Sequence, residues 1–278
     1  MTTKVNIIKN AACLTMIALC ILIVFSCGNY LTKAPENNGT PNISMIVMQY
    51  NNRVILYMAG SDKITIDWWN GIVKEKKLKD FNDNFFGYNH NYKYRVAHFY
   101  FGTTARTIKI SGNNITHLRI AHEKLTSLDV SGATTLKWLD CWYTQLTELD
   151  VSTNTELTDL WCQQNQLTKL DLSTNTELIS LICSKNQLTS LDLNANTALT
   201  TLNCSNNQLT ELDMSTNTTL MILYCESNNL STAALNTLFE TLHDDILEQE
   251  KILHIGGNPG TIDCNKSIAE RKGWKVYY

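Results

Sequence analysis

Strong charge of either sign is missing from this 278-residue chain: only 18% of its residues are charged, and the formal net charge is −3. Without a basic excess there is no counterion release to drive nucleic-acid binding, so that class of partner has no electrostatic support. After the first 27 residues no apolar run is long enough to cross a bilayer as a helix. A nucleophile elbow, a metal-binding motif and a glycine-rich phosphate loop are also missing, so no cofactor and no metal are expected. The information in this chain lies in repetition.

The first 27 residues read as a targeting segment. Lys4 and Lys9 precede a short apolar core, Ala11 to Phe25. It runs into Val24-Phe25-Ser26-Cys27-Gly28, which resembles the lipobox of bacterial lipoproteins. The resemblance implies diacylation of Cys27, a mature chain that starts there, and a non-enzymatic palmitate-type membrane anchor. Each buried methylene of such an anchor is worth roughly 0.8 kcal/mol. Gly28, in place of an acidic residue, fits outer-membrane sorting in that family. The other reading is an uncleaved anchor helix. Residues 28–41 (GNYLTKAPENNGTP) are polar and form a flexible tether.

A 21-residue period then dominates. Aligned on a cysteine, the copies are LKWLDCWYTQL from Leu136, LTDLWCQQNQL from Leu157, LISLICSKNQL from Leu178, LTTLNCSNNQL from Leu199 and LMILYCESNNL from Leu220. ITHLRIAHEKL from Ile115 is a degenerate first copy, and ARTIKISGNNI from Ala105 has the half-repeat spacing. The intervening segments, such as LTKLDLSTNT, repeat as well, so each period nests two halves. This pattern closely resembles the bacterial leucine-rich repeats called IRREKO, which implies a solenoid with a binding surface.

Each half supplies a short strand whose alternate residues face one way. One coil cannot bury its apolar side alone, but stacked coils share a core. The expected fold is mainly β: a small N-terminal β-sandwich over 42–104, a leucine-rich-repeat solenoid over 105–230 with two short parallel strands per coil, and an α+β cap over 231–278. In 42–104, ITIDWWNG and GYNHNYKY resemble the signature of PKD-like β-sandwich domains through Asp67, Trp68, Gly71, His90 and Tyr92.

Three ladders follow from the period. Cys141, Cys162, Cys183, Cys204 and Cys225 fall in an inward slot and read as reduced core filler, because in-register parallel neighbours aim their Cβ vectors alongside each other. Asn165, Asn186, Asn207 and Asn228 end the Cys strand and are expected to bond loop backbone inside the stack; Asn154, Asn175, Asn196 and Asn217 do the same after the Asp strand. Asp129, Asp150, Asp171, Asp192 and Asp213 line the outer side of the second strand, where hydroxyls and amides must offset their repulsion.

Function is therefore expected where outward positions vary. His117 and Arg119, then Trp138, Asp140, Trp142 and Tyr143, then Asp159 and Trp161 interrupt an otherwise polar surface. Trp, Tyr and Arg are favoured interface anchors, and aromatic faces stack on sugars. Two placements are open: a ligand surface, or rings packed under the N-terminal strands. The expected function is a non-enzymatic, lipid-anchored cell-envelope protein of the outer membrane, facing either the medium or the periplasm, whose repeats recognise a protein or glycan, with adhesion or host interaction as its candidate roles. A purely structural envelope protein is one alternative. A polysaccharide-processing enzyme is another; it would need paired acids, and Asp140 and Asp159 are its only candidates.

Overall fold

The computed structural model describes residues 43–47, 53–60, 63–68, 73–77, 95–99, 105–112, 114–120, 124–244 and 250–278. The leader with Cys27, the tether, and Gly71, His90 and Tyr92 lie outside these residues. No described helix is long and apolar enough to cross a membrane.

The chain is a β-solenoid with few helices. Its N-terminal strands are β1 (Ile43–Val47), β2 (Arg53–Gly60), β3 (Lys63–Asp67), β4 (Val73–Lys77), β5 (Arg95–Phe99) and β6 (Arg106–Gly112). Alternation makes them strands: Ile43, Met45 and Val47 are buried while Ser44 and Ile46 between them are not. Then come β7 (Ile115–Arg119), β8 (Leu125–Asp129), β9 (Trp138–Asp140), β10 (Asp159–Trp161), β11 (Ser180–Ile182), β12 (Thr201–Asn203) and β13 (Ile222–Tyr224). The C-terminal end holds helix α1 (Thr232–Thr241), β14 (Lys251–His254), helix α2 (Ser267–Arg271) and β15 (Trp274–Tyr277).

Two sheets result, in the orders β4-β3-β6-β1-β8 and β15-β14-β13-β12-β11-β10-β9-β7-β2-β5. In the larger sheet the strands from β7 through β9 to β15 are parallel and in register. Leu118, Leu139, Leu160, Leu181, Leu202, Leu223 and Leu253 form one inward row, all fully buried. The N-terminal strands grip the first coil on both flanks, β2 pairing antiparallel with β7 and β1 with β8. A single hydrophobic core runs from Ile43 to Trp274.

Two expectations are corrected. Residues 106–112, assigned by spacing to the repeat stack, run antiparallel between β1 and β3 instead. The second expected strand per coil forms only once, as β8. β8 forms because β1 pairs with it, whereas the later copies have no such partner strand among the described residues. The turn itself is common to all, Asp129, Asp150, Asp171, Asp192 and Asp213 each accepting from the N–H two residues on, at 2.8–3.0 Å. Tight turns follow, such as Asn154 N–H to Val151 O at 3.0 Å and Leu157 N–H to Asn154 O at 3.1 Å. The segment keeps one inter-coil backbone bond, for example Gln187 N–H to Leu167 O at 2.8 Å.

The asparagines replace the missing ladder. Asn186 Nδ2 donates to the carbonyls of Cys162 and Cys183, both at 3.0 Å, and its Oδ1 accepts from Leu167 N–H at 3.0 Å. The same pattern recurs at Asn165, Asn207 and Asn228. On the other flank Asn175 Nδ2 donates to Val151 O and Asn154 O. The C-terminal end continues the ladder: Asn258 donates to Cys225 O at 2.9 Å and Ile255 O at 2.8 Å, and accepts from Asn228 and Leu230 N–H.

Candidate functional site

The in-register strands place their outward side chains in two rows across the larger sheet. One row reads Ala59, His117, Trp138, Asp159, Ser180, Thr201, Ile222, Ile252 and Lys275. The other reads Tyr57, Arg119, Asp140, Trp161, Ile182, Asn203, Tyr224, His254 and Tyr277. Of the variable residues singled out from the sequence, His117, Arg119, Trp138, Asp140, Asp159 and Trp161 thus fall in these rows, near the N-terminal end, while Trp142 and Tyr143 lie in the turn after β9.

Trp138 and Trp161 sit diagonally on neighbouring strands, edge to face, with ring centroids 5.5 Å apart and an interplanar angle of 69°. His117 lies beside Trp138 at 6.3 Å, its Nδ1 2.9 Å from the Thr116 hydroxyl. The three tryptophans of the cluster are half-buried and Tyr143 is exposed. Trp142 Nε1 donates to Gln164 Oε1 at 2.7 Å, fixing that ring to the next coil. The Trp161 indole N–H is buried and finds no hydrogen-bond partner among the described residues.

Asp140 departs from its expected place on the ligand surface. It is 1% exposed, closed in against Arg119, whose Nε lies 3.1 Å from Oδ2. That contact is an ion pair outside hydrogen-bond geometry; Oδ1 accepts from Trp142 N–H at 3.0 Å. Arg119 in turn stands 5.8 Å over the Tyr57 ring, so strand β2 covers what a free solenoid end would expose. Burial raises the Asp140 carboxyl above its ordinary range, against the opposing pull of the Trp142 amide and Arg119. Burial also raises Asp159, against a hydrogen bond from Thr158 at 2.8 Å.

The Cys ladder is fully buried and its thiols are free. Desolvation pushes every one upward, Cys183 to about 12, so none is a thiolate near neutrality. No cluster of metal-ligating side chains occurs among the described residues. The Asp ladder is solvent-exposed, and bonds from Ser152 and Ser173 lower Asp150 and Asp171.

One group on the face escaped sequence reasoning. Tyr224, His254 and Tyr277 stack along one row, at 4.8 Å and 31°, then 4.7 Å and 16°. Glu226 reaches His254 Nδ1 at 3.6 Å. A signal was available in Leu253-His254-Ile255-Gly256-Gly257-Asn258, which keeps the L-x-C-x-x-N spacing with Ile255 in the cysteine slot. The long insertion before it hides the period.

Solved structures similar to this chain are leucine-rich-repeat proteins, internalins among them. The functional domain of InlJ from Listeria monocytogenes, which includes a cysteine ladder, is 33% identical over 58% of this chain, with a TM-score of 0.43. Internalin C2 from the same organism is 17% identical over 59% of this chain and 81% of its own, with a TM-score of 0.40. A leucine-rich-repeat protein of Leptospira interrogans is 18% identical over 54% of this chain and 44% of its own, with a TM-score of 0.39. The chain spans 39% of the InlJ chain. No protein-family model matches the sequence, and no curated protein matches it.

Proposed function

We propose that this chain is a non-enzymatic binding protein of the bacterial cell envelope, held by a lipid on Cys27, whose outward sheet face recognises a protein or glycan partner in adhesion. The observation that carries this is the edge-to-face pair of Trp138 and Trp161 beside His117 on one sheet face, each ring partly exposed. Residues 42–104 serve, in this reading, as a PKD-like β-sandwich that lifts the face off the membrane.

The polysaccharide-processing alternative loses an acid, because Asp140 is committed to Arg119 inside the protein. Screening the full chain against extracellular matrix proteins and glycans tests the proposal. Trp138→Ala or Trp161→Ala should weaken the captured complex by more than ~1 kcal/mol, as loss of an anchor does. Unchanged affinity in both variants would remove the aromatic face from consideration. Replacing Cys27 by Ser should abolish labelling with a fatty-acid probe; persistent labelling would refute the lipid anchor.

A further inference from the structure

The outward face carries smaller side chains between two aromatic groups. On β11 and β12 the outward residues are Ser180, Ile182, Thr201 and Asn203. On one side stands the Trp138–Trp161 pair, and on the other Tyr224 begins the three-ring stack. The walls belong to β10 and β13, three coil steps apart, so they are separated by about 14 Å at ~4.8 Å per step.

The floor has a definite chemistry. Beside the Trp161 wall it carries Ile182, and beyond that two hydroxyls, from Ser180 and Thr201, and the Asn203 amide, with no charged side chain. Asn203 is oriented: its Oδ1 accepts from Ser205 N–H at 3.1 Å and from the Ser205 hydroxyl at 2.8 Å. Both N–H groups of its amide are left without a partner among the described residues, on a half-buried side chain. A charged polymer has no counter-charge on this floor. Away from Ile182, a protein partner seated here would set its apolar core on two hydroxyls and an unmatched amide, which a charge-depleted aromatic interface centre avoids. A chain of neutral sugar rings matches both parts, with apolar ring faces for the aromatic walls and hydroxyl edges for the amide and hydroxyl floor.

Resting on the binding-face reading above, we infer that the stretch between Trp161 and Tyr224 is a subsite for a linear, uncharged polysaccharide, with Asn203 donating to its hydroxyls. The test is calorimetric titration of the full chain with cellohexaose, maltohexaose, laminarihexaose, xylohexaose and chitohexaose, with polygalacturonate as the charged control. At least one neutral hexasaccharide should bind, and raising the salt concentration should leave its affinity unchanged. Asn203→Leu and Tyr224→Ala should each weaken it at least about tenfold, and Thr201→Val, which keeps the side-chain shape, should weaken it too. The inference is overturned if no neutral oligosaccharide binds at millimolar concentration, if only polygalacturonate binds, or if Asn203→Leu and Thr201→Val both bind as the parent does. Trp161-dependent capture of a protein with no oligosaccharide binding would overturn this inference alone and leave the binding-face reading standing.

Discussion

Arg119 and Asp140 are both withdrawn from water, with side chains 11% and 1% exposed. Removing one member of such a pair leaves the other buried and uncompensated. Arg119→Met should therefore cost about 3 kcal/mol near neutral pH. The pH dependence has a definite sign. The folded-state carboxyl of Asp140 sits above its unfolded value, so the folded protein holds that proton to higher pH. Stability from this group is thus lost as pH rises from the ordinary carboxylate value through the raised one. Without Arg119 the window extends upward, and the deficit of Arg119→Met should shrink on acidification. Urea denaturation of both proteins at neutral and mildly acid pH measures this, and a deficit independent of pH would contradict it. The ladder thiols give a second test. Buried and held protonated, Cys141, Cys162, Cys183, Cys204 and Cys225 should resist a thiol reagent until the chain is unfolded; rapid native labelling of any of them would show the stack to be open.

At the scale of one coil, the turn after the Cys strand is built on a left-handed residue. Tyr143, Gln164, Lys185, Asn206 and Ser227 have φ between 54° and 57°, and Gly257 occupies the corresponding place at 72°. Five side chains of differing chemistry accept this conformation because the residue that follows clamps the loop: an asparagine after Gln164, Lys185, Asn206 and Ser227, and after Tyr143 the Thr144 hydroxyl, which donates to Cys141 O at 2.7 Å. Left-handed backbone costs an L-residue about 1–2 kcal/mol, offset in part by the entropy that glycine loses on folding. Lys185→Gly should therefore raise stability by up to about 1 kcal/mol, readable as a higher denaturation midpoint; a lower midpoint would mean the side chain contributes more than its strain. In the cap the opposite holds. A Cβ on Gly260 would lie 2.2 Å from Thr232 N, at the start of α1, so Gly260→Ala must displace backbone. A loss of about 2 kcal/mol is expected, with the helix end loosened first. The sequence shows the αL position poorly, since only Gly257 betrays it. It shows the helix well, through Ser231, whose hydroxyl accepts from Ala234 N–H at 3.2 Å.

At the scale of the whole molecule, stability is shared between neighbouring coils. Deleting one full period, residues 178–198, preserves every ladder and should give a folded but less stable protein by circular dichroism and urea titration. Deleting residues 178–187 alone removes one Cys half, sets two Asp halves in succession, and should abolish folding. The solenoid was legible because leucine, cysteine and asparagine recur at fixed spacing. The attachment of the N-terminal strands was not, because the β2–β7 and β1–β8 pairings join segments far apart in sequence and leave no periodic trace. That attachment also explains why Asp140 was misplaced: the partner that buries it stands under Tyr57 of β2. Under the proposed function, partners meet the strand face and the flank bearing the Asp turns is scaffold. The most direct measurement compares affinity for a captured partner in Trp161→Ala and in Glu211→Ala, the latter an exposed position on the scaffold flank. The account predicts a loss above ~1 kcal/mol in the first and none in the second. Loss in Glu211→Ala with full affinity in Trp161→Ala would contradict it.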